Sequence, residues 1–169
     1  MAWEFSVMVV ANVTATSEEL LAALRERSAS GACRFTLVMP RSGGRAQAAG
    51  SARGAAIAEP QEALAAALDA MRAAGLAKVS GRVGDPDPVV AAMELWDPRE
   101  FDEIVVSTLP TGMSRWLGLD LPRRLEKLTS VSVRHVVAQP QSEVRWERPP
   151  EHEDYGVLSP LAAALTRRT

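Results

Sequence analysis

Residues 101–138 read FDEIVVSTLPTGMSRWLGLDLPRRLEKLTSVSVRHVVA, and no other stretch limits the fold as tightly. An apolar run of strand length, Ile104-Val105-Val106, ends at Ser107-Thr108. A polar loop containing Gly112 follows, then a helical stretch opening at Asp120, then a second apolar run from Ser132 to Ala138. Strand, loop, helix and strand in this order form a βαβ unit, whose strands lie parallel because the helix crosses back over the sheet. Ligands of parallel sheets sit beyond the carboxyl ends of the strands, so the loop from Ser107 to Arg115 is the best candidate for a site. It has the hydroxyls of a phosphate cradle but few of the glycines.

The rest of the chain repeats the pattern. Phe5 to Ala11 is a near-continuous apolar run, as expected of a strand covered on both faces. After a short turn, Thr16 and Glu19 stand at the spacing of a capping box, and Leu20, Leu21 and Leu24 form the apolar stripe of a helix ended by Ser28 to Gly31. Phe35 to Met39 is a second buried strand closed by Pro40. Arg41 to Glu59 is rich in Gly, Ala, Ser and Arg without apolar periodicity, and reads as a mobile loop. Two roles for it stay open: a lid with Arg45 and Arg53 as phosphate contacts, or an unselected insertion. Pro60 to Gly75 is helical, with Leu64, Leu68 and Met71 on one stripe, and Lys78 to Val83 is a more polar strand suited to a sheet edge. Asp85-Pro86-Asp87-Pro88 supplies a capping Asp and a first-turn Pro to a helix carrying Val89, Val90, Met93 and Trp96. Asp97-Pro98 then makes a turn before the fourth strand, Glu103 to Ser107, and the fifth strand is Ser132 to Ala138. The expected class is α/β, an open doubly wound parallel sheet of five strands with helices on both faces. The expected organisation is one domain over residues 1–138 and a C-terminal extension over 139–169, with a short helix from Ser159-Pro160 through Leu165.

Composition narrows the function more than it defines it. The net charge of −2 over 169 residues gives no general attraction to nucleic acid or anionic membrane. No apolar run reaches membrane-span length, and the start, MAWEFSVMVV, lacks a basic signal region, so a cytoplasmic protein is expected. The single cysteine, Cys33, excludes an internal disulfide and reads as a small buried hydrophobe. Neither GxxxxGK[ST], GxGxxG after the first strand, nor GxSxG is present. His135 lies among the valines of the fifth strand and reads as a satisfied core or interface residue, while His152 sits in an acidic EHED run that reads as a solvated stretch. No set of residues has the makings of a nucleophile, base and orienting acid, and no metal site is expected.

The segment after the fourth strand resembles the glycine-rich signature of the universal stress protein family. The resemblance is carried by Thr111-Gly112, Met113 and Ser114-Arg115, by the helix over Leu121 to Leu128 and by the strand ending VRHVVA, and it covers about residues 4–138. It implies strand order 3-2-1-4-5, a homodimer through the fifth strands, and, in one subclass, ATP at the carboxyl strand ends. Its nucleotide-binding members carry an Asp in the turn after the first strand, where this chain has Asn12. Aligned on Gly112, the first two signature glycines become Val106 and Leu109, and the final Gly-[S/T] becomes Leu119-Asp120. A Cβ at Val106 or Leu109 keeps the backbone from approaching a phosphate, and Asp120 at a helix N-cap fills the anion position itself. The site that the resemblance implies joins Asn12, Val13 and Thr14 to Ser107, Thr108, Thr111, Gly112, Met113, Ser114 and Arg115, with Asp120 beside them. The expected function is a non-enzymatic stress-response or regulatory protein, acting by small-ligand sensing or protein association. Binding of ATP or another adenine nucleotide is weakened or lost, and a small anionic ligand is an alternative occupant. The competing reading is a nucleotide-binding protein or slow adenine-nucleotide hydrolase using the Ser107–Arg115 loop.

Overall fold

The computed structural model describes residues 4–41, 55–110, 113–114 and 120–139, with backbone alone at 55–58. Its elements alternate: β1 (Phe5–Val10), α1 (Glu18–Ala29), β2 (Cys33–Pro40), α2 (Ala55–Ala73), β3 (Val79–Gly84), α3 (Pro88–Met93), β4 (Glu103–Thr108), α4 (Leu121–Thr129) and β5 (Ser132–Val137). The strands form one parallel sheet, as their sequence leads one to expect, in the order β3-β2-β1-β4-β5 that the resemblance implies.

The pleat explains why the central strands are apolar without interruption. Successive side chains point to opposite faces. Val7, Val9, Phe35, Leu37, Met39 and Val105 meet Leu20 and Leu24 of α1 and Leu64, Ala67 and Met71 of α2. Met8, Val10, Val38, Ile104 and Val106 meet Val89, Ala91 and Ala92 of α3 and Leu121 and Leu125 of α4. A strand packed on both sides has no polar face to show. The outer strands β3 and β5 are only partly covered, and their sequences are correspondingly mixed.

Several local devices differ from the sequence reading. The N-cap of α1 is Ser17, whose Oγ accepts from the Leu20 N–H at 3.3 Å, so Thr16 and Glu19 do not form the box their spacing implies. Thr16 instead lies in the turn before the cap, and the helix starts one residue later than expected. α2 begins at Ala55, inside the stretch expected to be loop, and carries Pro60 within it. Proline is favoured at a first turn, which drew the expected start to Pro60. Here it stands in the sixth position, where it forgoes the bond to the Ala56 carbonyl. The Asp-Pro devices behave as expected. Asp87 caps α3, its Oδ1 accepting from Val89 and Val90 N–H groups at 2.8 and 3.4 Å, and Asp97 accepts from the Arg99 N–H at 2.8 Å.

α3 packs unusually close to the sheet. A Cβ on Gly84 would lie 2.6 Å from the Cβ of Ala91, so glycine at the end of β3 is a packing requirement. At the amino ends of the strands, Arg27 of α1 lies over the Phe5 ring, 3.6 Å from its centroid, and its Nε donates to Glu103 at 3.0 Å. Cys33 is half-buried beside Arg27, and burial pushes its thiol pKa up, consistent with an inert packing residue.

Candidate functional site

β1 and β4 are neighbours in the sheet, yet the connection leaving β1 goes to α1 on one face while the helices that flank β4 lie on the other. The chain therefore diverges at their carboxyl ends and leaves a crevice, the position at which open α/β sheets hold ligands. A cleft of about 140 Å³ opens there, lined by Asn12, Val13, Thr14, Ser107, Thr108, Leu109, Met113 and Ser114. The turn after β1 and the loop after β4, far apart in sequence, are thus brought together.

The turn is built by the backbone. Ala15 N–H donates to the Asn12 carbonyl at 2.9 Å and Ser17 N–H to the Thr14 carbonyl at 3.0 Å. Two side chains tie it down: Asn12 Nδ2 donates to the Pro40 carbonyl at 2.8 Å, and Thr14 Oγ1 donates to the Ser107 carbonyl at 3.0 Å. Across the cleft, Met113 and Ser114 N–H groups donate to the Pro110 carbonyl at 3.0 and 3.2 Å, closing a turn after β4. Val13 and Met113 stand on the two lips, 73% and 58% exposed, the most exposed large apolar side chains of the described residues.

Ser107 is the unusual member. It is fully buried, its carbonyl is taken by Thr14, and its Oγ has no hydrogen-bond partner among the described residues. A buried hydroxyl left unpaired costs about 1–3 kcal/mol. Thr108, next along the strand, is satisfied from the opposite side, with Oγ1 2.8 Å from Nε2 of His135 on β5. His135 is therefore partnered as expected, but on the exposed surface of an edge strand rather than in the core. Its burial, though partial, lowers its pKa from the usual imidazole value.

Thr111, Gly112 and Arg115 lie outside the described residues, as do Arg45, Arg53 and His152. Asp120 is described, and it departs from expectation. It occupies the N-cap position of α4 but in a left-handed conformation (φ 49°), and its side chain makes no capping bond. The carboxylate is turned toward Arg123, 3.9 Å away, and is not among the cleft's lining residues. It does not fill the helix N-terminus. Val106 likewise does not hold a ligand position: it is fully buried in β4 against the α3/α4 layer. Leu109 does line the cleft. Leu109 enters the signature comparison only as a missing glycine, although an apolar residue directly after a strand end is itself a sign of a covered loop.

A second cleft of about 300 Å³ lies at the ends of β2 and β3, lined by Arg41, Pro60, Gln61, Arg82, Val83, Gly84, Asp85 and Glu94. Its charges are engaged with one another and with the backbone: Arg82 faces Glu94 at 3.8 Å, and Arg41 Nε donates to the Gly84 carbonyl at 3.3 Å. Among the described residues no cluster of His, Cys, Asp and Glu is arranged to hold a metal ion, and no helix is long and apolar enough to cross a membrane.

The sequence matches no family profile and no curated protein. Solved structures do match. A universal stress protein in complex with cAMP is 21% identical, with 78% of this chain and 96% of that one covered at a TM-score of 0.50. The universal stress protein from Archaeoglobus fulgidus in complex with dAMP is 19% identical, covering 80% and 99% at 0.51. A further structure of a universal stress protein from Archaeoglobus fulgidus is 16% identical, covering 78% and 93% at 0.52. Taken with the strand order, the two helical layers and the crevice between β1 and β4, this likeness gives the chain the fold of the universal stress proteins.

Proposed function

We propose that this protein is a non-enzymatic regulatory or stress-response protein of the cytoplasm that senses a small ligand in the cleft between β1 and β4. The observation that carries the reading is the crevice at the topological switch point, whose described lining includes Ser107, a fully buried residue with an unpartnered hydroxyl. Native proteins rarely leave such a group unsatisfied without a role for it. The described lining holds hydroxyls, an amide and apolar side chains but no acid, base or cation. Such a set can bind and orient a molecule. Among the described residues, nothing there would activate a nucleophile or hold a leaving phosphate.

Two proteins of the same fold are bound to adenine nucleotides, cAMP and dAMP, so adenine nucleotides are the first ligands to test. ATP is held weakly here, because Leu109 replaces a glycine where the backbone would approach a phosphate. Association with a second copy through β5 belongs to the same reading, since among the described residues β5 is an edge strand of the sheet. Thermal denaturation of the full chain with ATP, AMP, cAMP and adenosine tests the ligand. A ligand at 100 times its Kd adds about 2.7 kcal/mol of stability. A shift with a small ligand and no turnover of any nucleotide with Mg²⁺ supports sensing. Hydrolysis of ATP that is lost in Ser107→Ala would replace this reading with that of a hydrolase.

A further inference from the structure

One contact links the β1/β4 cleft to the outer edge of the sheet. Thr108 is the last residue of β4, is 2% exposed and lines the cleft, and its Oγ1 lies 2.8 Å from Nε2 of His135 on β5. We infer that His135 is a proton-operated latch at this end of the sheet. Neutral, it takes the hydroxyl proton of Thr108 and holds the carboxyl ends of β4 and β5 together. Protonated, it cannot, and the end of β4 that lines the cleft is released. The use of such a latch to regulate binding rests on the reading of the cleft as a ligand site, whereas its operation can be measured without any ligand.

The direction of the hydrogen bond decides the behaviour. A hydroxyl carries one proton, and a hydroxyl that water cannot reach must give that proton to an acceptor inside the protein. Among the described residues the one partner of Thr108 Oγ1 is Nε2 of His135. The neutral ring therefore carries its proton on Nδ1 and accepts at Nε2. A second proton occupies Nε2, and the ring can then only donate. The hydroxyl proton loses its acceptor at a place closed to water, while the ring itself stays open to solvent on the edge strand. Burial of part of the ring disfavours its charged form as well, which places the titration below the usual imidazole value.

Position gives the loss its effect. Thr108 stands opposite Val137 in the last rung of the β4–β5 ladder, and the Ala138 N–H donates to the Thr108 carbonyl at 2.8 Å. One residue back, the Ser107 carbonyl accepts the Thr14 hydroxyl at 3.0 Å from the turn after β1, and one residue on, Leu109 lines the cleft. Thr108 thus lies between the bond to the turn and the bonds to the edge strand. Among the described residues β5 pairs with β4 alone, so its end can part without disturbing another strand. The charged groups of β5 and of the elements packed on it are engaged elsewhere or face water. Arg134 pairs with Glu26 of α1, Glu103 of β4 pairs with Arg27 of α1, and on α4 Arg123 faces Asp120 while Arg124, Glu126 and Lys127 are exposed.

NMR of the isotope-labelled full chain tests the latch in two ways. Ring nitrogen shifts should show Nε2 of neutral His135 without a proton. Amide exchange, corrected for the intrinsic effect of pH, should show protection of the Ala138 amide falling about tenfold as His135 is protonated. The Ala11 amide, which donates to the Val38 carbonyl, serves as the control and should not respond. His135→Gln and Thr108→Val should each abolish the response, and Thr108→Ser, which keeps the hydroxyl, should retain it. Thr108→Val should also move the His135 titration up toward the usual imidazole value, since the neutral ring loses its hydrogen bond. A neutral ring protonated at Nε2, or Ala138 protection that stays flat while His135 titrates, would overturn the latch and leave the cleft as a site. A latch that operates in a chain binding none of ATP, AMP, cAMP and adenosine would support the inference and count only against the nucleotide reading of the cleft.

Discussion

A single oxygen atom, Oγ of Ser107, makes the sharpest demand of this structure. Replacing it with hydrogen in Ser107→Ala removes an unpaired buried hydroxyl. The expected result is a protein more stable by about 1 kcal/mol in urea unfolding, with ligand response lost. A residue kept only for packing would show the opposite sign. His135 carries a second prediction. The free imidazole titrates near 6.5, and burial lowers the folded value, so between the two the unfolded chain binds more protons than the folded one. The contribution to stability is complete above 6.5. It is lost as pH falls from there to the folded value, and changes no further below that. Urea midpoints measured from roughly pH 5 to 8 should show this slope in the native chain. The slope should flatten in His135→Gln, which keeps a polar partner for Thr108. The residue level is also where the sequence misleads most. Val106 and Asp120 take their expected roles from alignment to a glycine pattern, but a pattern does not say where a strand ends or how a capping residue's backbone turns. The pleat puts Val106 in the core, and φ 49° turns Asp120 away from its helix.

Elements were more legible than residues, because periodicity is set by many side chains at once. The five strands and the capped helix after Asp87 follow from apolar runs and Asp-Pro pairs. The start of α2 does not, since alanines and a proline in a low-complexity stretch give no face to read. The two ends of α4 provide a test of backbone strain. Asp120 and Ser130 both sit in the left-handed region at φ 49° and 57°, and neither gains a Gly's ease there. Ser130→Gly is expected to stabilise the protein by about 0.5–1 kcal/mol, read from the thermal midpoint. In the same layer, Gly84→Ala forces α3 off the sheet against Ala91 and should cost about 1–3 kcal/mol by the same measurement.

Across the whole molecule, the two sheet edges are unlike. β3 is flanked by α2 and α3 and carries glycines and Arg82, whereas β5 presents His135 and Val137 to solvent. If β5 is where two copies meet, Val137→Lys should convert a dimer to a monomer in light scattering with the thermal midpoint nearly unchanged, because Val137 lies outside the core. A native chain that is monomeric by the same measurement would remove the dimer from the functional reading. The crevice between β1 and β4 has a different standing from every side chain in it. It exists because two neighbouring strands send their chain to opposite faces, so no point substitution closes it. Descendants of this chain would change what the opening accepts far more readily than whether there is one, and a lineage could pass from one ligand to another without ever passing through a closed form.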